Sequence, residues 1–291
     1  MKCCPNCQAK LIAADWTCLA CGNVPLRGNR FVLLAPDLAK SGGGFRPDSF
    51  EHLAALEAKS FWFRARNRLI LDALKLYFPS MTRYMEIGCG TGYVLAGVAD
   101  AFPQATLVGS EIFTVGLGFA ASRVRNAELL QMDARKIPYD AEFDVIGAFD
   151  VLEHIDEDEV VLTSMLHAIR PGGGIVLTVP QHRWLWSSAD DAACHVRRYA
   201  LGELSEKVRR AGFQIVFETS VVSLLLPAMF ASRLTKKKRT EVASTSVSEL
   251  ELPRWLNGVF EFIMNLERRL ICNGLRFRLG GSRLLVATKK R

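Results

Sequence analysis

The sequence predicts an α/β fold in which a largely parallel sheet is covered by helices on both faces. Short apolar strand patterns alternate with helical patterns from residue 84 to residue 180, and this alternation is typical of parallel sheets. The first of these strands runs directly into a glycine-rich turn and a helix, at Tyr84 to Val94. With 291 residues, 49% of them apolar, the chain is long enough to bury such a core and to carry small additional modules.

Four cysteines near the N-terminus predict a small metal-bound module in residues 1–40. They form two Cys-x-x-Cys pairs separated by ten residues, namely Cys4/Cys7 and Cys18/Cys21. Each pair can present two thiolates from a tight turn, and four thiolates are a ligand set of structural zinc. The Cys-Pro-x-Cys and Cys-x-x-Cys-Gly motifs resemble those of small zinc ribbons. A redox pair or unliganded thiols are the alternatives, and residues 30–36 are expected to form the closing strand.

A glycine-rich stretch, Ser41-Gly42-Gly43-Gly44, predicts a linker before a second domain that spans residues 47–291. This domain opens with a helical pattern from Ser49 to Tyr77. The middle of that pattern, Phe61 to Arg68, is dense in aromatic and cationic side chains. One interpretation is burial in the core, and the other is a cap over a bound cofactor.

The glycine turn itself contains Gly88, Gly90 and Gly92, with the acid Glu86 on the preceding strand. Residues without a Cβ allow a sharp bend and let a ligand lie against the main chain at a helix N-terminus. A dinucleotide fingerprint would need glycine where Tyr93 stands, so that motif is absent. The motif Glu-Ile-Gly-Cys-Gly-Thr-Gly instead resembles the first motif of class I S-adenosylmethionine-dependent methyltransferases.

Three further strands end where this resemblance expects functional residues. The second strand ends at Glu111, 19 residues past Gly92, and a carboxylate there can accept both hydroxyl groups of a ribose. The third strand ends at Met132-Asp133-Ala134, where family members place an acid or amide against adenine. The fourth strand leads into Asp-Val-Leu-Glu-His, residues 150–154, which resembles the family's fourth motif.

The remaining strands complete the resemblance. Residues 170–180 supply a helix end, a glycine turn and a fifth strand, while residues 213–219 and 283–288 are expected to be the sixth and seventh strands. The resemblance implies a Rossmann-like, seven-stranded methyltransferase sheet with an antiparallel last strand and an α-helical insertion at residues 221–281. It also implies S-adenosylmethionine as the cofactor, with eight cofactor-binding residues: Glu86, Gly88, Gly90, Gly92, Glu111, Asp133, Ala134 and Asp150.

The acceptor side of the site is predicted from residues that follow the fourth and fifth strands. His154 and His195 are the predicted catalytic residues, because an imidazole can take a proton from the acceptor near neutral pH. Ordering of its loop is an equal interpretation for His154. Five residues after the fifth strand are predicted to bind the acceptor, the tryptophan by apolar contact and the arginines through a carboxylate or phosphate: His182, Trp186, Arg197, Arg198 and Tyr199. Solvated arginines and a core tryptophan are the alternatives.

The insertion combines an apolar run at residues 221–230, the basic cluster Lys236-Lys237-Lys238-Arg239 and an amphipathic helical pattern over residues 253–272. The apolar run is far shorter than the ~20 residues that span a bilayer. The net charge of +7 is concentrated here, because residues 231–291 contain 14 Lys and Arg against 5 Glu. One interpretation is peripheral contact of residues 221–272 with an anionic membrane surface. The other is a lid or dimer contact packed against the body.

These observations predict a methyltransferase that modifies oxygen or carbon of a small-molecule or lipid-like acceptor. The opening Met-Lys-Cys-Cys-Pro does not have the pattern of a secretory signal, and the cysteine pairs suggest a reducing compartment. A cytoplasmic location is expected, at the inner face of the membrane if the insertion makes that contact.

Two alternatives remain open at this stage. A zinc module fused to this fold also resembles ribosomal RNA guanine methyltransferases. In those proteins the last zinc ligand is typically histidine, where this chain has Cys21, and the Asn-Pro-Pro-aromatic motif of amino-group methyltransferases is replaced by residues 150–153. The other alternative is a non-catalytic scaffold that uses the cofactor fold to bind a membrane or a protein.

Overall fold

The computed structural model describes residues 1–12, 15–41, 46–47, 49–236 and 252–290. Within these ranges nine strands form one sheet. In chain order the strands are β1 (Leu26–Arg27), β2 (Val32–Leu33), β3 (Arg83–Ile87), β4 (Thr106–Glu111), β5 (Glu128–Gln131), β6 (Phe143–Phe149), β7 (Ile169–Pro180), β8 (Phe213–Val221) and β9 (Ser282–Lys289).

Ten α-helices lie in the same described ranges. They are α1 (Leu38–Ser41), α2 (Ser49–Leu56), α3 (Phe61–Tyr77), α4 (Tyr93–Ala101), α5 (Thr114–Arg123), α6 (Asp158–Ala168), α7 (Ser188–Ala192), α8 (Glu203–Arg210), α9 (Leu226–Lys236) and α10 (Arg254–Cys272). Short 3-10 turns at Leu152–His154 and Arg183–Leu185 follow β6 and β7.

The sheet has the order β1-β2-β5-β4-β3-β6-β7-β9-β8. Strands β5, β4, β3, β6 and β7 are parallel, whereas β9 is antiparallel to both β7 and β8. The chain leaves β3 for β4 on one side and later returns to β6 on the other. The strand order therefore reverses at β3, and ligands of open α/β sheets bind at the carboxyl ends of strands at such a point.

The predicted count of seven strands is wrong for the described chain, because the N-terminal module adds two strands to the sheet edge. β2 pairs in parallel with β5, with Val32 opposite Leu130, and β1 pairs antiparallel with β2. The Gln131 side chain strengthens this contact with two hydrogen bonds to Ala35. Its Oε1 accepts from the backbone N–H at 3.0 Å, and its Nε2 donates to the backbone carbonyl at 2.8 Å. The other seven strands have the antiparallel last strand that the sequence predicts.

Alternate residues of the central strands pack against two separate layers, as expected for a sheet buried on both faces. Tyr84 belongs to a core shared with α3, α4 and α5, and its neighbour Met85 belongs to a core shared with α6 and α8. Trp16 of the N-terminal module packs in the second core, where its ring meets Tyr139 edge-on at 5.5 Å. The module is thus continuous with the body of the protein, while the division at residue 40 stays a prediction.

The insertion between β8 and β9 contains α9 and α10, and α10 packs along α3. Phe260 meets Phe61 edge-on with ring centroids 5.3 Å apart, and Glu261 forms ion pairs with both Arg64 and Arg68. Buried Glu267 accepts hydrogen bonds from the backbone N–H groups of residues 222 and 224, at 2.7 and 2.8 Å. These contacts pack the insertion against α3 and the loop after β8, and its role as a lid or a dimer contact stays a prediction.

Several sequence predictions fall where the structure gives no description. In the basic cluster, the side chain of Lys236 and the whole of residues 237–239 lie outside the described residues, as do linker residues 42–44 and Asp48 at the expected start of the second domain. Among the helices that are described, none combines the length and the apolar character needed to cross a bilayer.

Candidate active site

A single large cavity lies at the carboxyl ends of β3, β4, β5 and β6. Its volume is about 1030 Å³, which is at the upper end of the usual range for small-molecule sites and is large enough for two ligands side by side. Ten of the residues predicted from sequence line it: Glu86, Gly88, Gly90, Glu111, Asp133, Ala134, Asp150, His154, His195 and Arg198.

The glycine turn between β3 and α4 forms one wall of the cavity. Gly88, Gly90 and Gly92 all have positive φ angles, of 64, 53 and 78°, a conformation that glycine adopts without strain. A Cβ on Gly88 would lie 2.4 Å from a methyl group of Val151. Gly92 caps α4 against Ala120 of α5 and does not itself line the cavity. The turn thus needs its glycines for shape, and it leaves the main chain open to a ligand.

Glu111, at the end of β4, is held against this turn by the backbone. Its carboxylate accepts hydrogen bonds from the N–H groups of Gly90, Ile112 and Phe113, at 3.1, 2.8 and 3.2 Å. Burial raises the pKa of the Glu111 carboxyl, and these three donors act in the opposite direction. A carboxylate has about four lone-pair sites, so the side chain can still accept hydroxyl groups from a ligand in the cavity.

Arg66 of α3 stands between the acids of β3 and β6. It pairs with Asp150 at 2.6 Å and approaches the hydroxyl of Thr178 at 3.3 Å. Glu86 is buried, and its hydrogen-bond donor is the Tyr84 hydroxyl at 3.3 Å. Burial raises the Glu86 pKa to about 8, although the nearby Arg66 charge acts to lower it. This end of the cavity therefore holds a carboxylic acid that ionises only when a further positive charge or a higher pH favours it.

The wall that follows β5 contains Met132, Asp133 and Ala134. Arg135 binds the Asp133 carboxylate through two nitrogens, with its Nε at 3.0 Å and its Nη2 at 3.0 Å from separate oxygens. The ion pair with Arg135 therefore fixes the Asp133 side chain in place. Beside it, this wall exposes the apolar side chains of Met132 and Ala134 and their backbone to the cavity.

A second polar cluster in the lining of the cavity is formed by the turn after β6, by α7 and by the loop after α7. The Nδ1 atom of His195 lies 2.9 Å from Asp190, which also pairs with Arg198 at 2.7 Å. If the His195 proton resides on Nδ1, where Asp190 accepts it, the Nε2 lone pair faces Glu153 at 4.0 Å. The rings of His154 and His195 meet edge-on with centroids 4.8 Å apart.

Apolar side chains enclose the space between this cluster and the insertion. They come from the start of α3, from the loop after β8, from α9, from the segment just before α10 and from α10 itself: Phe61, Trp62, Val222, Leu225, Ala228, Met229, Leu252, Leu256 and Phe260. The cavity therefore has a polar end and an apolar end, a shape that suits an amphiphilic molecule.

Four of the predicted acceptor-binding residues lie outside the lining of this cavity. His182 is buried and stacks on Trp184, and Trp186 donates its indole N–H to Asp191 at 2.9 Å. Arg197 and Tyr199 both bind Asp158, at 2.8 and 2.6 Å. The loop after β7 folds back beside the strand through a bridge between Gln181 and Tyr199, so these side chains contact the protein itself. Their roles in acceptor binding stay predictions.

Sequence reasoning missed three side chains that shape the cavity: Glu57, Arg66 and Glu153. Buried Glu57 accepts a hydrogen bond from the Thr91 hydroxyl at 2.6 Å and pairs with Arg123 at 2.5 Å, which ties the segment after α2 to the glycine turn. The aromatic and cationic pattern of α3 was compatible with burial in the core or with a cap over the cofactor, and it did not indicate which arginine lines the cavity.

The four N-terminal cysteines converge outside the lining of this cavity. One sulfur from each of Cys4, Cys7, Cys18 and Cys21 lies within 4.8 Å of the others, and the Cys4–Cys21 and Cys7–Cys18 sulfur distances are 3.7 and 3.6 Å. Thiolates about 2.3 Å from a tetrahedral zinc ion lie about 3.8 Å from each other. The arrangement therefore fits the predicted ligand set.

The glycine turn, the acid after β4 and the reversal of strand order agree with a family comparison. A family model described as a methyltransferase domain matches residues 56–218, more than half of the chain. The protein belongs to the class I S-adenosylmethionine-dependent methyltransferase family. The matched region covers the strands that carry the glycine turn, Glu111 and the turn after β6.

Relatives of this methyltransferase share modest identity with it. A probable S-adenosylmethionine-dependent methyltransferase of Mycolicibacterium smegmatis is 25% identical over 56% of this chain and 63% of its own length. A trans-aconitate 2-methyltransferase of Variovorax paradoxus is 29% identical over 36% of this chain and 41% of its own. A fatty-acid O-methyltransferase of M. smegmatis is 30% identical over 35% and 38%. The chain thus spans less than two thirds of each of these relatives.

Solved structures agree with this methyltransferase at the level of the fold. The [4+2]-cyclase SpnF superposes with a TM-score of 0.53 at 21% sequence identity, and the match covers 79% of this chain and 83% of that one. Because that chain carries the name of a cyclase, the fold by itself does not establish which reaction is catalysed.

The raised pKa of Glu86 predicts a pH-dependent stability for the ligand-free methyltransferase. An unfolded glutamate ionises near 4.5, whereas folded Glu86 ionises near 8, so the unfolded state binds fewer protons between these values. Stability should therefore fall as pH rises from about 4.5 to 8. We expect Glu86→Gln to remove this decline and to be more stable than wild type at pH 8 by roughly 2 to 4 kcal/mol, measured by urea unfolding at pH 5 and pH 8.

The matched control is Glu206→Gln, which changes an exposed acid on α8. That variant should retain the decline of the wild-type protein. Equal slopes of stability against pH for Glu86→Gln and wild type would contradict the assignment of Glu86 as a buried, neutral acid.

Proposed function

We propose that this protein transfers a methyl group from S-adenosylmethionine to an oxygen atom of a small amphiphilic acceptor. One observation carries the proposal: one cavity joins the glycine turn and Glu111 to a cluster of histidines and carboxylates, and much of its remaining wall is apolar. A cofactor and an acceptor bound there would lie side by side, with their reacting atoms enclosed by the insertion.

The cofactor fits the end of the cavity formed by the glycine turn. Gly88 and Gly90 let it approach the main chain, while Glu111, fixed by three backbone donors, is placed to accept ribose hydroxyls. Glu86 would balance the positive charges of the cofactor. When bound, S-adenosylmethionine supplies an electrophilic methyl group on a sulfonium, so the protein mainly has to align the acceptor and exclude bulk water.

The acceptor's reactive oxygen is assigned to the polar end of the cavity. With its Nδ1 bonded to Asp190, His195 has its Nε2 available for a hydrogen bond or a proton from the acceptor. Arg198 and Arg66 line the same cavity, where each is paired with an acid, Asp190 and Asp150 respectively. The available His195 nitrogen favours an acceptor with an acidic oxygen, such as a carboxylic acid.

The apolar walls of the cavity indicate the character of the rest of the acceptor molecule. An apolar body would lie against Phe61, Leu225, Leu256 and Phe260, between α3 and the insertion. The names of two relatives support this choice, because a trans-aconitate methyltransferase and a fatty-acid O-methyltransferase both act on molecules with carboxylates. The proposed acceptor class is therefore a carboxylic acid or acidic alcohol with an apolar chain or ring.

The experiment that tests this function uses S-adenosylmethionine with an isotopically labelled methyl group. The purified protein is incubated with small molecules, lipids and RNA extracted from the source cells, and products are identified by mass spectrometry. We expect label in an extractable small molecule or lipid, as an ester or ether. Label in RNA would replace the proposed acceptor with the nucleic-acid alternative, and no label in any fraction, together with no cofactor binding, would favour a scaffold.

We also propose that Cys4, Cys7, Cys18 and Cys21 hold a structural zinc ion. The spacing of their sulfur atoms supports this, since it is close to that of a tetrahedral site. All four ligands come from protein, so the ion would stabilise the module and leave no position for a substrate. Because β2 of the module pairs with β5, this stabilisation would extend to the sheet edge next to the Asp133 wall.

A further inference from the structure

Glu153 is a buried carboxylate that the contacts of the described chain do not explain. Its side chain is fully buried, and neither of its oxygen atoms has a hydrogen-bond partner in the residues that the structure describes. An isolated carboxylate in such a place is costly unless it is protonated, paired or bound to a metal.

The cations around Glu153 are already engaged by other acids. Arg66 pairs with Asp150 at 2.6 Å, and Arg198 pairs with Asp190 at 2.7 Å. Neither guanidinium group makes a hydrogen bond to Glu153 in the residues that the structure describes. A cation bound beside Glu153 would compensate the charge of its ionised carboxylate.

Two imidazole groups complete a set of possible metal ligands. One oxygen of Glu153 and one nitrogen from each of His154 and His195 all lie within 4.8 Å of one another. Ligand atoms about 2.1 Å from a shared ion lie about 3.0 to 3.4 Å apart, so side-chain movements of about 1–2 Å would bring them into range. All three residues line the cavity, which leaves room for further ligands on its open side.

Asp190 makes His195 suitable for this role. Its carboxylate lies 2.9 Å from Nδ1, which favours Nε2 as the metal-binding nitrogen. Histidine ligands of metal ions commonly donate their second nitrogen to a carboxylate in this way, and that contact fixes the orientation of the ring.

We propose that Glu153, His154 and His195 form a binding site for a divalent transition-metal ion, and that the ion binds the reactive oxygen of the acceptor. Two nitrogen ligands and one oxygen ligand suit Mn²⁺, Fe²⁺, Co²⁺ or Zn²⁺ better than Mg²⁺ or Ca²⁺, which prefer oxygen. The role in acceptor binding rests on the proposed methyltransferase function, and with the ion bound it is the ion, in place of the His195 Nε2, that contacts the acceptor oxygen. It narrows the acceptor to molecules whose oxygen atoms can coordinate a metal, such as carboxylates and adjacent hydroxyl groups.

Titration of the full-length protein with Mn²⁺, followed by electron paramagnetic resonance of the free ion, tests the site. Mn²⁺ is a suitable probe because it prefers oxygen and nitrogen ligands over the four thiolates of the N-terminal module. We expect one Mn²⁺ ion per chain with a Kd below about 100 μM, and at least tenfold weaker binding by Glu153→Gln and by His195→Gln.

Matched controls are His167→Gln on α6 and Glu206→Gln on α8, both at exposed positions, which should bind Mn²⁺ like wild type. Thermal unfolding of each variant, with and without S-adenosylhomocysteine, reports folding and cofactor binding. No Mn²⁺ binding by wild type, or equal binding by Glu153→Gln, His195→Gln and wild type, would overturn the metal site.

The same samples separate this inference from the proposed function. S-adenosylhomocysteine binding without Mn²⁺ binding refutes the metal site and supports the cofactor site. Mn²⁺ binding without S-adenosylhomocysteine binding supports the three-residue site as a metal centre and refutes the methyltransferase function on which its role in acceptor binding depends.

Discussion

The Gly90→Arg variant is expected to fold and to bind S-adenosylhomocysteine at least about 100-fold more weakly than wild type. Gly90 lines the cavity, and a Cβ placed on it would meet Phe50 at 3.7 Å. The backbone position therefore tolerates a first carbon, but the rest of an arginine side chain must enter the space that the cofactor needs. The positive φ angle of 53° adds about 1 kcal/mol of strain, which is small beside the stability of a domain of this size.

Thermal shift measures this effect, because a ligand that binds only the native state raises the unfolding midpoint. The matched control is Gly118→Arg, which places the same side chain on the exposed face of α5, where a Cβ meets no atom within 4 Å. The control should show the wild-type shift. A full shift in Gly90→Arg would mean that the cofactor does not lie against the glycine turn.

Replacement of two thiolates should have the largest effect on stability. We expect Cys18→Ser plus Cys21→Ser to lose one equivalent of bound zinc and to lower the free energy of unfolding by at least about 3 kcal/mol. Cys18 is buried in the same core as Trp16 and Leu130, and the module supplies β2 to the sheet edge. Loss of the ion would therefore destabilise both the module and its contact with β5.

Metal analysis of protein purified without chelator, together with urea unfolding, measures both effects. Cys194→Ser plus Cys272→Ser is the matched control, since these thiols lie away from the cluster of four. It should keep its zinc. An unchanged zinc content in Cys18→Ser plus Cys21→Ser would remove the cysteine cluster from consideration as the binding site.

The parts of the site that could be predicted from sequence are those fixed by local backbone geometry. Gly88 and Gly90 adopt positive φ angles in a strand-to-helix turn, and that requirement is visible as a glycine spacing. Glu111 and Asp150 follow strands, and parallel strands bring their carboxyl ends to one edge. The order of strands and helices in the sequence is therefore enough to predict that these residues lie close together.

The parts that could not be predicted depend on contacts between distant segments. β2 joins the sheet because Val32 meets Leu130 almost a hundred residues away, and two-residue strands carry too little pattern to indicate a partner. Arg197 and Tyr199 have residue types suited to acceptor binding, yet both contact Asp158. The identity of an ion-pair partner is a property of the folded loop, and residue type does not reveal it.

Glu153 shows a signal that sequence reasoning could have used more fully. It lies between Leu152 and His154 in the short turn that follows a buried strand. An acid at this position is therefore expected to be enclosed by apolar neighbours. A buried acid beside a histidine is a recurrent feature of functional sites. What the sequence did not indicate is that His195, 42 residues later, reaches the same point.

Calorimetric titration of the wild-type protein with S-adenosylhomocysteine at neutral pH tests the central claim most directly, because it requires neither the acceptor nor a metal. The claim is that the cavity beside the glycine turn is a cofactor site. We predict one binding site per chain with a Kd between about 1 and 100 μM, together with a rise in the thermal midpoint. An absence of both binding heat and midpoint shift at millimolar ligand would contradict it.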